Sequence, residues 1–226
     1  MRKAGDLIRE YLREGRLAAN RSQPIGAGTF GVVYQSDVPG NVIKQTHASW
    51  RNAAGDLEKE AGLQAVAAEM GIAPRVVGVE TFPGDIGNRI EMADARTNFE
   101  PVSATSQGIS SDPVTNIRIA QQLGELALKG IRLEDRRAAN VMKNKMTGRP
   151  LQLDFGIAGK MSPDQQAAQL AHVTAEGFEA AGIGEMGSIL RATVMDYLEG
   201  GDVAEAMDIA KQGFSRLQKI KAPLQV

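Results

Sequence analysis

The sequence predicts an α+β protein in which a sheet-rich first part precedes a helix-rich second part. Three observations carry this. The β-branched and aromatic runs "IGAGTFGVVYQS", "NVIKQT", "RVVGVETF" and "NRIEMAD" all fall before residue 95. Helical periodicity and cap signals dominate after it. No strand–helix alternation and no internal repeat joins the two parts, which argues against a regular βαβ architecture. With 226 residues, 42% hydrophobic and 23% charged, the chain can bury a core. Two lobes of one domain are expected, residues 1–94 and 95–226.

In chain order, Leu7, Ile8, Tyr11 and Leu12 share one face and predict a short amphipathic helix near 6–14. Residues 25–45 predict two antiparallel strands with a glycine-rich bend at 26–31 and a turn at "DVPG". Residues 52–70 read as a helix ended by Gly71 and Pro74. Two more strands flank "PGDIG". The polar stretch 95–113 is the expected connection between lobes. "TNIRIAQQLGELALKG" reads as a helix stopped by Gly130. "PLQLDFGIA" gives a short strand and turn. Ser162 is the expected N-cap of a further helix, with Pro163 at its first position and Gln165 reaching back. Helices near 185–199 and 203–219 follow, the second capped by Asp202.

Composition narrows the function. A net charge of −1 and a pI near 6.2 argue against a nucleic-acid binder of the basic-patch kind. The absence of cysteine removes disulfides, zinc–thiolate sites and thiol nucleophiles. Two histidines, His47 and His172, lie too far apart in sequence to suggest a histidine metal site. The first residues, "MRKAGDLIREYLREGRL", are charged throughout, and no window has the length of apolar residues that a membrane span needs. A cytoplasmic location is expected, or a host cytosol if the chain is secreted by a route without such a signal.

Gly26, Gly28 and Gly31 form a G-x-G-x-x-G pattern in "GAGTFGVV". A dinucleotide fold needs a helix after it, but "VVYQS" is strand-like. A glycine turn between strands still lets backbone N–H groups approach phosphate oxygens with no Cβ in the way. Lys44 ends the next strand, sixteen residues after Gly28, and can reach phosphates if a carboxylate holds it. The helix at 52–70 offers Glu58, Glu60 and Glu69. Glu60 leads, because Leu57, Leu63 and Ala67 share the buried stripe and Glu60 borders it.

Further on, Asp135 and Asn140 lie five apart in "DRRAAN", and Asp154 follows fourteen residues later in "LQLDFG". Singly, Lys44 reads as a solvated strand-end lysine, Asp135 as a helix cap and Asp154 as a turn acid. Together and in this order they make coincidence a poor account.

These motifs resemble those of a protein kinase. "GAGTFGVV" is similar to the glycine loop, "VIK" to V-A-I-K and "LEDRRAAN" to H-R-D-L-x-x-x-N, and "DFG" is intact. The likeness spans residues 25–158. It implies a bilobal protein kinase-like fold: a small antiparallel-sheet lobe with one main helix and a reduced helical large lobe. It implies ATP and Mg2+ as cofactors. Asp135 would deprotonate an acceptor hydroxyl, Asn140 and Asp154 would bind the metal, and Lys44 would hold phosphates with Glu60 as its partner. Ile25 and Val33 would sandwich the adenine. Ile90 would be its gatekeeper, and Glu91 to Ala93 would offer backbone groups. Arg137 would serve at the γ-phosphate.

The pattern departs from the family in two places. Leu133 and Glu134 replace the His and Arg before the catalytic Asp, and no A-P-E follows "DFG". Glu134 has the wrong sign to receive a phosphate, so activity without activation-loop phosphorylation is expected. Seventy residues remain after Gly156, which resembles a minimal kinase of the bacterial-effector or atypical small type. The expected function is an ATP-dependent serine/threonine-protein kinase with a protein substrate, no nucleic acid and no membrane span. The alternatives are a small-molecule kinase of the same fold, a pseudokinase, or an AMP-transferring enzyme.

Overall fold

The computed structural model describes residues 24–28, 31–46, 54–81, 88–105, 110–135 and 137–220. The helix expected near 6–14 lies outside them, as does the turn at 83–87. The chain divides into two compact units, one running through Ala68 with Pro74–Ala95, the other Glu69–Ala73 with the rest from Arg96 on.

Among the described residues the first unit is a five-stranded antiparallel sheet in the order β1-β2-β3-β5-β4, with one helix. Its strands are β1 (Pro24–Gly28), β2 (Gly31–Gln35), β3 (Asn41–Thr46), β4 (Val76–Glu80) and β5 (Arg89–Ala93). Residues 25–45, expected as two strands, therefore form most of three. The glycine bend folds the chain back at once, with Gly28 opposite Gly31, so its first limb becomes a strand of its own. Gly31 also touches the far side: a Cβ there would lie 2.3 Å from the Gln45 carbonyl oxygen, so only glycine fits.

Helix α1 (Ala54–Glu69) packs Leu57 and Ala61 on Val42, Ile90 and Met92 of the sheet. Full burial of side chains of this size contributes about 1.5–3 kcal/mol each. Gln64, also fully buried on α1, donates Nε2 to the Pro74 carbonyl at 3.0 Å. After α1, Gly71 takes φ +68, as a helix stop requires.

The described residues of the second unit hold four α-helices: α2 (Pro113–Leu128), α3 (Pro163–Ala180), α4 (Gly184–Glu199) and α5 (Val203–Lys219). Helix α2 begins two residues before the expected Thr115, because Asp112 caps it. The Asp112 carboxylate accepts from Val114 N at 3.0 Å and from Thr115 Oγ1 at 2.6 Å. Gly130 ends this segment with φ +72. At α3, Gln165 Oε1 accepts from Ser162 N at 3.1 Å, the reach-back that the sequence predicts. Asp202 Oδ1 accepts from Glu205 N at 3.1 Å and opens α5. Among the described residues no helix is long and apolar enough to cross a membrane.

Ile117, Leu170, Phe178, Val194, Phe214 and Leu217 are central to the helical core. Phe214 lies across α2 at Gly124, where an added Cβ would sit 2.0 Å from Phe214 Cε2. Gly124→Ala is therefore expected to destabilise the protein by about 1–3 kcal/mol through overpacking. Denaturant melts check this, and Phe214→Leu in the same chain should recover part of the loss by making room.

Two small ladders complete the unit. Strands β6 (Phe99–Pro101), β8 (Val141–Asn144) and β9 (Pro150–Gln152) form a three-stranded sheet. β7 (Ile131–Arg132) pairs with β10 (Gly159–Lys160).

Candidate active site

In the first unit, pairing places several predicted residues in one row. Gly26 lies opposite Val33, Val33 opposite Lys44, and Lys44 opposite Ile90. Directly paired residues of an antiparallel ladder project to the same face. Val33 is half-buried, Ile90 fully buried and Ile25 exposed. Lys44 itself is buried, and its Nζ meets Glu60 Oε1 at 2.5 Å. Glu60 is buried too, whereas Glu58 and Glu69 are exposed. A buried ammonium and a buried carboxylate each need the other, since an unpaired charge there would be strongly disfavoured.

Of the backbone groups expected to meet adenine at Glu91 and Ala93, one is already engaged. Ala93 N–H already donates to the Arg75 carbonyl at 2.9 Å. Glu91 is an interior strand position, paired with Ile43 on one side and Gly78 on the other. Backbone groups engaged in a ladder are not offered to a ligand. Asp94 N–H donates to Gly40 O at 2.8 Å. Glu91 has a different task. Its Oε1 accepts from Ser36 Oγ at 2.7 Å and from Asn41 Nδ2 at 2.9 Å, which ties the β2–β3 turn to β5.

In the second unit, the loop after β7 carries Asp135, Arg137 and Asn140. Leu133, in place of the family's histidine, is buried and anchors the loop through the core. Glu134 is exposed and ion-paired with Arg132. Ala138–Asn140 form a single 3-10 turn, and Val141 and Met142 enter the core as β8. The Asn140 amide donates to the Asp135 carbonyl at 3.4 Å. Leu153 N–H donates to Asn140 O at 2.9 Å, extending the β8–β9 ladder by one pair and setting Asp154 one residue past Asn140's partner. Asp154 Oδ1 accepts from Gly156 N at 3.0 Å, and Phe155 is fully buried.

The sequence did not predict the fork that Arg137 makes on Asp135. Nε donates to Oδ1 at 2.7 Å and Nη2 to Oδ2 at 2.5 Å. These bonds hold the Asp135 carboxyl below the usual carboxylate range, against the raising effect of partial burial. The same pairing raises the Arg137 guanidinium, with a smaller contribution from Asp154. The available signal was an acid and an arginine two residues apart in a loop.

The segment after "DFG" is a short strap. Six residues, 157–162, separate Gly156 from the start of α3. Ala158 N–H donates to Phe155 O, and Met161 N–H donates to Gly130 O, both at 2.9 Å. Between them Gly159 and Lys160 pair with Arg132 and Ile131.

A glycine turn in an antiparallel sheet, a buried pair between a strand lysine and a helix glutamate, and an acid loop leading into "DFG" together make this fold protein kinase-like. Among solved structures the chain is similar to the kinase domain of Mycobacterium tuberculosis PknI. A double-mutant form of that domain aligns over 87% of this chain and 94% of that one, with 16% identity and a TM-score of 0.51. The kinase domain without those mutations aligns over 70% of this chain and 71% of that one, with 18% identity and a TM-score of 0.46. No protein-family model and no curated protein matches the chain.

Proposed function

We propose that this chain is an ATP-dependent protein kinase acting on serine or threonine. The observation that carries the reading is Lys44, buried on the sheet face in the row from Gly26 and held by Glu60 at 2.5 Å. A lysine fixed in this way is poised to meet phosphate oxygens rather than solvent. Gly26, Gly28 and Gly31 would line the phosphates with backbone N–H groups, and Ile25 and Val33 would cover the base.

A magnesium ion suits the second unit. Asp154 and Asn140 supply a carboxylate and an amide oxygen, and Mg2+ takes one or two protein oxygens and completes its shell with phosphates and water. Among the described residues there is no cluster of three acidic or histidine side chains for a fully protein-caged ion. When bound, the ion neutralises phosphate charge that develops during transfer. Asp135 orients the acceptor hydroxyl and takes its proton on a carboxylate oxygen. Its depressed pKa makes it a weak base, which suits a transfer whose proton leaves late. Each Asp135 oxygen accepts one bond from Arg137 and keeps a second lone pair, so the acceptor hydroxyl can bond Asp135 while the fork holds it.

The test is the purified protein with Mg2+, γ-labelled ATP and a panel of protein acceptors, beside Asp154→Ala. Label on protein that disappears in the variant is the expected result. Label on a small metabolite alone identifies a small-molecule kinase. Transfer from α-labelled but not γ-labelled ATP identifies AMP transfer. Thermal stabilisation by ATP with no transfer at all identifies a pseudokinase.

Phosphatase treatment is expected to leave the rate unchanged. Glu134 is already engaged by Arg132, and the strap offers a single hydroxyl, Ser162. Its Oγ bonds Asp164 at 2.5 Å, an anion that would repel a phosphate. Loss of activity on dephosphorylation would sink this expectation.

A further inference from the structure

The turn joining β8 and β9, residues 144–149, has no part in the chemistry above. Its tip carries Met146, 96% exposed and the most exposed large apolar side chain among the described residues. The turn is built rather than loose. Asn144 Oδ1 accepts from Met146 N at 3.0 Å and from Thr147 N at 2.9 Å, and Gly148 N donates to Asn144 O at 2.8 Å. An apolar side chain is thus held out in water by a well-bonded support, with no packing in the unit to explain it.

Cations surround the tip. Arg118 Nη1 donates to Thr147 O at 2.7 Å. Lys145 Nζ donates to Arg96 O at 3.0 Å and Thr97 O at 2.9 Å. Arg149 Nη2 donates to Met70 O at 3.0 Å. These acceptors are carbonyls, which carry no net charge, so the bonds place the cations without neutralising them. Lys143 adds a fourth, ion-paired with Glu100 at 3.5 Å, and Arg149 acts on Glu125, whose carboxyl is raised by burial and lowered by that cation, so two of the four cations have a carboxylate nearby. The whole chain carries a net charge of −1, so this basicity is local.

We propose that the β8–β9 turn docks the chain reversibly on an anionic lipid surface. Met146 enters the interface, while Arg118, Lys143, Lys145 and Arg149 lie on the headgroups. A soluble polyanion could use the cations but has no place for the methionine, so the combination favours lipid. The tip is at the far end of the hairpin from Asn140 and Leu153, four strand residues or roughly 13 Å away. This inference stands apart from the kinase reading.

The chain has no cysteine, so Met146→Cys places one thiol at the tip for an environment-sensitive dye. The labelled full chain is mixed with vesicles of phosphatidylcholine alone or of phosphatidylcholine with phosphatidylserine. Blue-shifted emission with the serine lipid only, reversed by salt, is expected. In co-sedimentation of unlabelled protein, Lys145→Gln should weaken binding about fivefold. Met146→Asp should weaken it further, and at this exposure it has no packing to lose. No sedimentation with the acidic vesicles overturns the proposal. So does binding that heparin competes away and Met146→Asp leaves intact, which makes the turn a polyanion site.

Discussion

Asp135→Asn is expected to lower transfer by about 10²–10⁴-fold, while Arg137→Ala keeps measurable turnover with an altered pH profile. The difference follows from what each change removes. The Asp135 amide still fills the loop and can bond an acceptor, but it cannot take the proton. Removing Arg137 leaves the carboxylate in place and takes away the main cause of its depressed pKa. What then remains is partial burial, which raises it, set against smaller lowering bonds from the Asn140 side chain and the backbone N–H of residue 137.

A carboxylate with a lowered folded-state pKa stays ionised, and active, until the pH falls through that value. Without Arg137 the acid limb of kcat should move to higher pH, toward the ordinary aspartate value of about 3.9. The stability from the Asp135–Arg137 pair is present above the unfolded-state pKa and is lost as pH falls through the folded one. The variant's acid melting should accordingly change less between neutral and low pH. A profile that coincides with that of the parent would mean that Arg137 does not govern Asp135.

Glu60→Ala should be the most destabilising change in the first unit, at about 3–5 kcal/mol, because it strands the Lys44 ammonium in the core. Lys44→Met combined with Glu60→Leu should recover most of that stability, since an apolar pair of similar volume needs no counter-charge. The double variant should nonetheless bind ATP poorly and transfer no phosphate. Melting temperature and transfer rate, measured on all three chains, separate the two roles. A double variant that stays as unstable as Glu60→Ala would show that packing, rather than the stranded charge, sets the cost.

Local signals made much of the fold legible. Asp202, Ser162 with Gln165, and Gly130 fix helix ends through bonds within a few residues, so the sequence states them almost directly. Glu60 was readable because helical spacing alone puts it beside a buried stripe, and Glu58 outside it. What escaped was decided by distant pairing. Whether residues 24–28 form a strand depends on β2 folding back on them. Where the ladder groups of β5 cease to be engaged depends on Arg75 and Gly40, residues far from Ala93 in sequence. A motif aligned at Ile90 cannot reveal that. The hub at Glu91 was equally hidden, since its partners Ser36 and Asn41 are brought to it by strand order alone. Arg137 was noticed, but spacing could not tell whether its fork closes on a ligand or on Asp135.

The six-residue strap between Gly156 and α3 is tied to Gly130 at one end and stitched to β7 along its middle. On the kinase reading, a strap fixed in this way is not set aside between turnovers. Output through it would follow the number of copies present, as with a tap that has no handle.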